Sequence, residues 1–392
     1  MHISLNTRQR FTCLLSAAAF VSACGGGGSS DSPTTPSIVQ VTVSSPTSTG
    51  GVFSVQTPIA IQAQAKVNGA VATDGTVVTF ALPGGSFTPV APQTRSGEAA
   101  SAVTGTLTGA QNITASVTVN GTTGTGTQTI YLRPQPAPLE ILVPAYFHPS
   151  GTTGWAQMAA SVSASPSVPI TAILNPSNGI FTAADSQSLQ AVRNLVNAGG
   201  RVIGYVYTSY GTGTRSLADI KANIDRYFDL YGSAVVSGIF LDEMSSSESH
   251  VDFYRQIYQH IKARSTNLRV VGNPGAIPAA AYANVVDAMV SFEDTASNFQ
   301  KFDPRTSTPW LYTLSNTRHA MLVHNANTCA AMQTAVQAAA SARYNHGLVY
   351  VTNLQFQPST QVGNPWASLP SYWSALVGTV QAVNAGTALP GC

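Results

Sequence analysis

Gly238-Ile239-Phe240-Leu241-Asp242-Glu243 runs three apolar side chains directly into two adjacent carboxylates. A short continuous apolar run reads as a strand buried on both faces, the kind that parallel sheets contain. Two acids at its C-terminal end are costly to bury unless they are paired or used. In a parallel α/β barrel, that end of a strand is where catalytic groups stand. The same letters also fit a strand that stops in a solvated acidic turn, so the reading rests on the flanking chain.

Outward from this stretch, apolar runs of strand length alternate with helical patterns. The predicted strands are 139–146, 170–174, 201–207, 238–242, 269–272, 288–292, 320–324 and 348–352, with helical patterns over 186–198, 217–231, 248–263 and 330–343. Ser216 and Ser247 stand where helix N-caps belong. Eight such units in about 250 residues are the count and size of a (β/α)8 TIM barrel, with every helix outside the sheet by the right-handed crossover rule.

The predicted strand ends collect polar and aromatic residues. In order they are Tyr146 and His148, Asn175, Tyr205 and Tyr207, Asp242 and Glu243, Asn273, Glu293 and Asp294, His324, and Asn353. Asn175-Pro176 and Asn273-Pro274 are explained separately by turn chemistry, but the acids and aromatics together are not. Carboxylates ringed by aromatics suit glycoside hydrolysis, in which one acid is protonated and another ionised. Neighbours on a strand point to opposite sides, so Asp242 and Glu243 share a site only if the strand ends between them. The candidate substrate-binding residues are Tyr146, His148, Asn175, Tyr205, Tyr207, Asn273 and His324. Trp155 either caps the pocket or anchors the first helix, with the sugar-facing role expected. No acid-rich loop or His pair at ligand spacing accompanies the acids, so neither metal nor cofactor is expected.

Before the barrel, residues 37–134 hold short alternating runs punctuated by Asn68-Gly69, Asp74-Gly75 and Asn120-Gly121. This predicts a small all-β sandwich. Thr76-Val77-Val78-Thr79-Phe80, Gly97-Glu98-Ala99 and Ile113-Thr114-Ala115-Ser116-Val117 resemble bacterial immunoglobulin-like domains of the invasin type. Residues 135–138 follow as a semi-rigid Pro-rich hinge, and residues 139–392 form the barrel domain. Residues 1–23 read as a signal peptide, with Arg8 and Arg10 ahead of a short apolar core. Val21-Ser22-Ala23-Cys24 resembles a lipobox, which implies lipidation at Cys24, and residues 24–36 make a flexible Gly/Ser/Pro tether. An outer-membrane lipoprotein facing the periplasm or the cell surface is the expected location, with the lipid as the only membrane contact. Of the four cysteines, Cys329 and Cys392 remain, either paired or with Cys329 buried and free. Charged residues are only 9% of the chain, and two of its 18 basic residues lie in the leader, which leaves 16 against 16 acidic ones. A balanced chain without a basic patch excludes nucleic acid as an expected partner. No heptad or unpaired amphipathic helix asks for a second copy, so a monomer is expected.

Val143-Pro144-Ala145-Tyr146, Asn175-Pro176-Ser177-Asn178-Gly179, the run from Gly204 to Gly211, Gly238 to Glu243, Asn273-Pro274-Gly275 and Ser291-Phe292-Glu293 occur in this order. Together, over residues 139–353, they resemble the spherulation-specific (spherulin-4) family, which includes glycoside hydrolase family 135. The resemblance implies a TIM barrel that cleaves α-1,4-linked N-acetylgalactosamine within a galactosaminogalactan-like exopolysaccharide. It carries three acidic site residues onto Asp242, Glu243 and Glu293. By role, Glu243 is expected as general acid/base and Glu293 as nucleophile, with Asp242 orienting Glu243; exchanging the two glutamates leaves the pattern unchanged. The competing expectation is a non-catalytic carbohydrate-binding surface lipoprotein or adhesin that uses the same rim.

Overall fold

The computed structural model describes residues 37–46, 50–150 and 153–392. The leader, the tether and Cys24 lie outside the described residues.

Nine strands come first: β1 (Val39–Ser44), β2 (Val52–Ser54), β3 (Ile59–Val67), β4 (Ala70–Val71), β5 (Thr79–Ala81), β6 (Gly85–Thr88), β7 (Glu98–Gly105), β8 (Gly109–Val119) and β9 (Thr122–Arg133). They form two sheets, ordered β1-β3-β7-β6, with β4 on the edge of β3, and β2-β9-β8-β5. Alternation along β3 decides which face is inward. Ile59, Ile61, Ala63 and Ala65 are buried while Ala60, Gln62, Gln64 and Lys66 are exposed, as a half-buried strand requires. Those inward residues join Val103, Ile113, Val117 and Ile130 in one apolar core.

The barrel is a closed ring of eight parallel strands: β10 (Glu140–Ala145), β11 (Ile170–Leu174), β12 (Arg201–Tyr207), β13 (Val236–Asp242), β14 (Arg269–Gly272), β15 (Ala288–Thr295), β16 (His319–His324) and β17 (Leu348–Val351). Closure comes from β10 pairing with β17, Glu140 opposite Leu348 and Ile141 opposite Val349. All eight predicted strands are present. Gly238, in the deciding stretch, has a packing reason: a Cβ there would lie 2.1 Å from the Arg269 carbonyl of the neighbouring strand. β15 runs three residues further than the apolar pattern, so Glu293 and Asp294 stand on the strand itself.

The outer layer is less regular than predicted. Helices α1 (Gly154–Ala164), α2 (Ser186–Asn197), α3 (Leu217–Tyr231), α4 (Val251–Arg264), α6 (Cys329–Ala340) and α7 (Trp373–Ala385) are full length, whereas α5 (Ala296–Phe299) is one turn. Between β14 and β15 there is only a 3-10 segment, Ala280–Asn284. Ser216 caps α3 by accepting from the Asp219 amide. Ser247 caps nothing, because a 3-10 turn over Glu248–His250 delays α4. Cys329, at the start of α6, is disulfide-bonded to Cys392, which ties the C-terminus to the barrel wall.

The sandwich is fastened to the barrel. Arg133, at the end of β9, is 5% exposed and donates from Nη1 to the Ser341 carbonyl at 3.3 Å and Asn345 Oδ1 at 3.2 Å. The Tyr131 and Tyr312 rings meet at 5.5 Å, and Arg305 Nη1 donates to the Gly50 carbonyl. The Pro-rich hinge is held on both sides. Gln135 donates to the Val55 carbonyl at 2.6 Å, and Ala137 exchanges two hydrogen bonds with Asn316 at 2.9 and 2.8 Å. These barrel residues lie in segments that lead into β16 and β17. The sandwich therefore sits at the end opposite the strand termini that carry the acids.

Truncating Arg133 leaves the buried Asn345 oxygen without its donor, a loss of about 1–3 kcal/mol. Arg133→Ala is expected to lower the urea midpoint accordingly, read by far-UV circular dichroism. A midpoint unchanged from wild type would show that this contact does not hold the two parts together.

Candidate active site

β13 stops at Asp242, and Glu243 takes a left-handed backbone, φ 49°. That turn breaks the strand's alternation and brings both carboxylates to one cleft, the condition the sequence reading set. Ser209 and Tyr210 are left-handed as well, φ 48° and 56°. The two turns hold each other: the Tyr210 amide donates to the Glu243 carbonyl at 2.7 Å. The Thr208 hydroxyl lies 2.8 Å from that carbonyl and 2.8 Å from the Tyr254 hydroxyl.

Asn273, just past β14, links two of the acids. Its Nδ2 donates to Asp242 Oδ1 at 2.8 Å and to Glu293 Oε2 at 2.7 Å. Its Oδ1 accepts from the Gly275 amide at 2.9 Å, which fixes the amide's orientation. Asp242 Oδ2 accepts from the Tyr205 hydroxyl at 2.8 Å. The ends of β12, β13, β14 and β15 are thereby joined through side chains.

Burial pushes the Asp242 carboxyl up, while the bonds from Tyr205 and Asn273 hold it back. Glu293 is pushed up to about 7, first by burial and then by the charge of Asp242, against hydrogen bonds from Asn273 and Trp366. Glu243 also lies above its ordinary value, through burial and then Asp242, and is moderated by the Ser209 backbone and Arg215. Coupled carboxylates titrate as a set, and burial raises all three of them here.

Asp242, Glu243, Asn273, Glu293 and His324 line a cleft of about 560 Å³. Asp294 borders it too, and its aromatic lining is Tyr210, 55% exposed at the mouth, with Phe356 and Trp366. The latter two come from the long connection after β17, which contains a small hairpin, β18 (Phe356–Gln357) with β19 (Val362–Gly363). Asn325 clamps that hairpin, accepting from the Phe356 amide at 2.9 Å and donating to its carbonyl at 3.1 Å. The His324 ring stands edge-on to Phe356 and Trp366, at 5.8 and 6.2 Å. Sequence reasoning missed Phe356 and Trp366 because no periodicity marks this connection. Tyr210 belongs to the motif from Gly204 to Gly211 but stands past the strand end. Asp294 accepts from the Thr295 amide and from Asn298 Nδ2, and so fastens the turn into α5.

The other predicted contact residues divide. Tyr205 lies behind Asp242 as its donor. Tyr146, His148 and Asn175 border a second cavity, over the ends of β10 and β11. Tyr207 carries the Arg215 guanidinium over its ring at 4.2 Å and borders neither cavity. Trp155 borders the second cavity as well. It is 3% exposed and donates its indole N–H to the Phe147 carbonyl at 3.1 Å, so it anchors α1.

Residues 140–380 match the family model described as spherulation-specific family 4. Spherulin-4 of Physarum polycephalum is 37% identical over 164 residues, which are 42% of this chain and 47% of that protein. The chain thus matches about half the length of this curated relative. Among solved structures, Aspergillus clavatus Sph3 in complex with GalNAc superposes with a TM-score of 0.51 at 22% identity, covering 62% of this chain and 98% of that one. That likeness shows a shared barrel fold.

Because Glu293 is raised from 4.5 to about 7, the folded protein holds its proton where the unfolded chain releases it. Its contribution to stability is therefore full below about pH 4.5 and is lost as pH rises through about 7. Glu293→Gln does not titrate, so its stability relative to wild type is expected to climb across that window, by about 1–3 kcal/mol. Paired chemical denaturation at pH 5 and pH 8 reads this directly. A difference independent of pH would remove Glu293 as the residue that holds the proton.

Proposed function

The chain belongs to spherulation-specific family 4, and on that premise we propose that it is a glycoside hydrolase. The proposed substrate is an amino-sugar exopolysaccharide cleaved within the chain, of the α-1,4-linked N-acetylgalactosamine type. The observation that carries the reading is the carboxylate set, Asp242 and Glu293 on one Asn273 amide with Glu243 beside them in one cleft. Sph3, which shares the fold, was solved with GalNAc bound, and this supports an amino sugar as the unit recognised.

The environments favour Glu293 as proton donor to the glycosidic oxygen, since it keeps its proton near neutrality. This reverses the role expected from sequence. Glu243, open to the cleft, then serves as the ionised carboxylate that attacks the anomeric carbon or activates water. Asp242 has both oxygens engaged, by Tyr205 and Asn273, so it acts as a fixed charge that sets the proton affinity of its neighbours. Trp366, Phe356 and Tyr210 offer apolar faces to sugar rings. Attachment to the outer membrane through a lipid on Cys24 belongs to the same proposal and is supported by the lipobox-like Val21-Ser22-Ala23-Cys24.

Residues 37–392, one compact unit, are incubated with polymeric α-1,4-linked galactosamine, fully and partly N-acetylated, and reducing ends are counted. Wild type is expected to release them, with kcat/KM falling as pH rises through about 7. Glu293→Gln and Glu243→Gln should each lose a factor of about 10²–10⁴. No release by the folded wild type from either polymer would overturn the reading, as would full activity in Glu293→Gln.

A further inference from the structure

The second cavity has about 390 Å³, within the range of small-molecule sites. Its wall toward the catalytic cleft is Tyr146, whose ring meets Tyr205 edge-on at 5.3 Å. Tyr205 in turn donates to Asp242. The two cavities thus lie on the same rim with a shared aromatic partition.

Three features suit this cavity to one chemical class of ligand. First, Asn175 Oδ1 is buried there and has no hydrogen-bond donor among the described residues. A buried acceptor left unpaired costs about 1–3 kcal/mol, which an incoming donor recovers. Second, His148 and Asp185 stand at the mouth with Nε2 and Oδ1 3.3 Å apart, their side chains 51% and 45% exposed. Among the described residues no Lys or Arg lines the cavity, so an anionic group finds no strong counter-charge. Third, Phe181 and Tyr146 give flat apolar walls. Acceptors set among aromatic faces suit a neutral polyhydroxylated ring, whose hydroxyls donate while its C–H face lies against carbon.

The loop that follows Asn175 and carries Ser177 into the lining is built in advance. Ser177, Asn178 and Gly179 are consecutive left-handed residues, φ 49°, 55° and 74°. A Cβ at Gly179 would lie 2.5 Å from the Tyr205 carbonyl, so this loop is pressed onto β12 and only glycine fits. For the non-glycine residues Ser177 and Asn178, strain of this kind, about 1–3 kcal/mol each, persists where surrounding structure over-determines it.

We infer that this cavity is a remote sugar-binding subsite, holding a unit of the same polysaccharide away from the bond being cleaved. The inference rests on the glycosidase reading. It adds that the enzyme draws on the binding energy of a distant unit to position the chain, which short substrates cannot supply.

The test uses α-1,4-linked galactosamine oligosaccharides of about three to about ten units, the range over which remote binding energy becomes available. Wild type, Asn175→Ala and His148→Ala, each checked for folding by thermal melt, are compared by kcat/KM at every length. Both variants are expected to lose about tenfold on the longest chains and about threefold or less on the shortest. Calorimetric titration of Glu293→Gln with the longest chain, with and without Asn175→Ala, should show the same loss in affinity. Cleavage by wild type with the same length dependence in both variants overturns the subsite alone. If the oligosaccharides are neither cleaved by wild type nor bound by Glu293→Gln, the glycosidase reading falls and takes this inference with it.

Discussion

One side-chain nitrogen organises the site. Asn273 gives one hydrogen to Asp242 and the other to Glu293, and its carbonyl oxygen is turned away by the Gly275 amide. A primary amide is the neutral group that offers two donors in one plane from so short a stem. An aspartate there would add a further charge and supply no donor when ionised. The arrangement exists only because β13, β14 and β15 are neighbours in a closed barrel. Backbone hydrogen bonds reinforce it, since the Asn273 amide donates to the Leu241 carbonyl and the Met244 amide to the Asn273 carbonyl. Moving any one of these strands by a residue would separate the acids.

The same acids are brought together by strain that the core can hold. Glu243, Ser209 and Tyr210 all occupy the left-handed region, where residues other than glycine are disfavoured by about 1 kcal/mol or more each. They are braced from below by the buried hydroxyls of Thr208 and Tyr254. A solvated acidic turn would need no such bracing. The strained backbone thus has a purpose that packing alone does not give it: it points two adjacent acids into one cleft.

Much of this architecture can be read from the residues, for a physical reason. Barrel strands are buried on both faces, so they appear as unbroken apolar runs such as Ile170–Leu174 and Leu348–Val351, and all eight are legible. The acids at 242, 243 and 293 stand out because charge at the end of such a run is costly to bury, although Asp294 stands there too and fastens a turn. What escapes depends on distant contacts. Ser247 looks like a cap, but the chain first makes a 3-10 turn. Phe356 and Trp366 reach the cleft through a clamp supplied by Asn325, a partner 31 residues before Phe356. The rim residues read as one set because strand order alone places them on one ring. Their division into two cavities depends on the Tyr146 and Tyr205 rings meeting between them.

The molecule is also polar along the barrel axis. Arg133, Arg305 and Tyr131 fasten the sandwich to segments entering β16 and β17, which among the described residues leaves the opposite rim clear of the sandwich. A polymer laid across that rim would meet the cleft and the second cavity without crossing the sandwich. The hydrogen bonds of Gln135 and Ala137 hold the Pro-rich segment to the sandwich on one side and to the segment before β16 on the other.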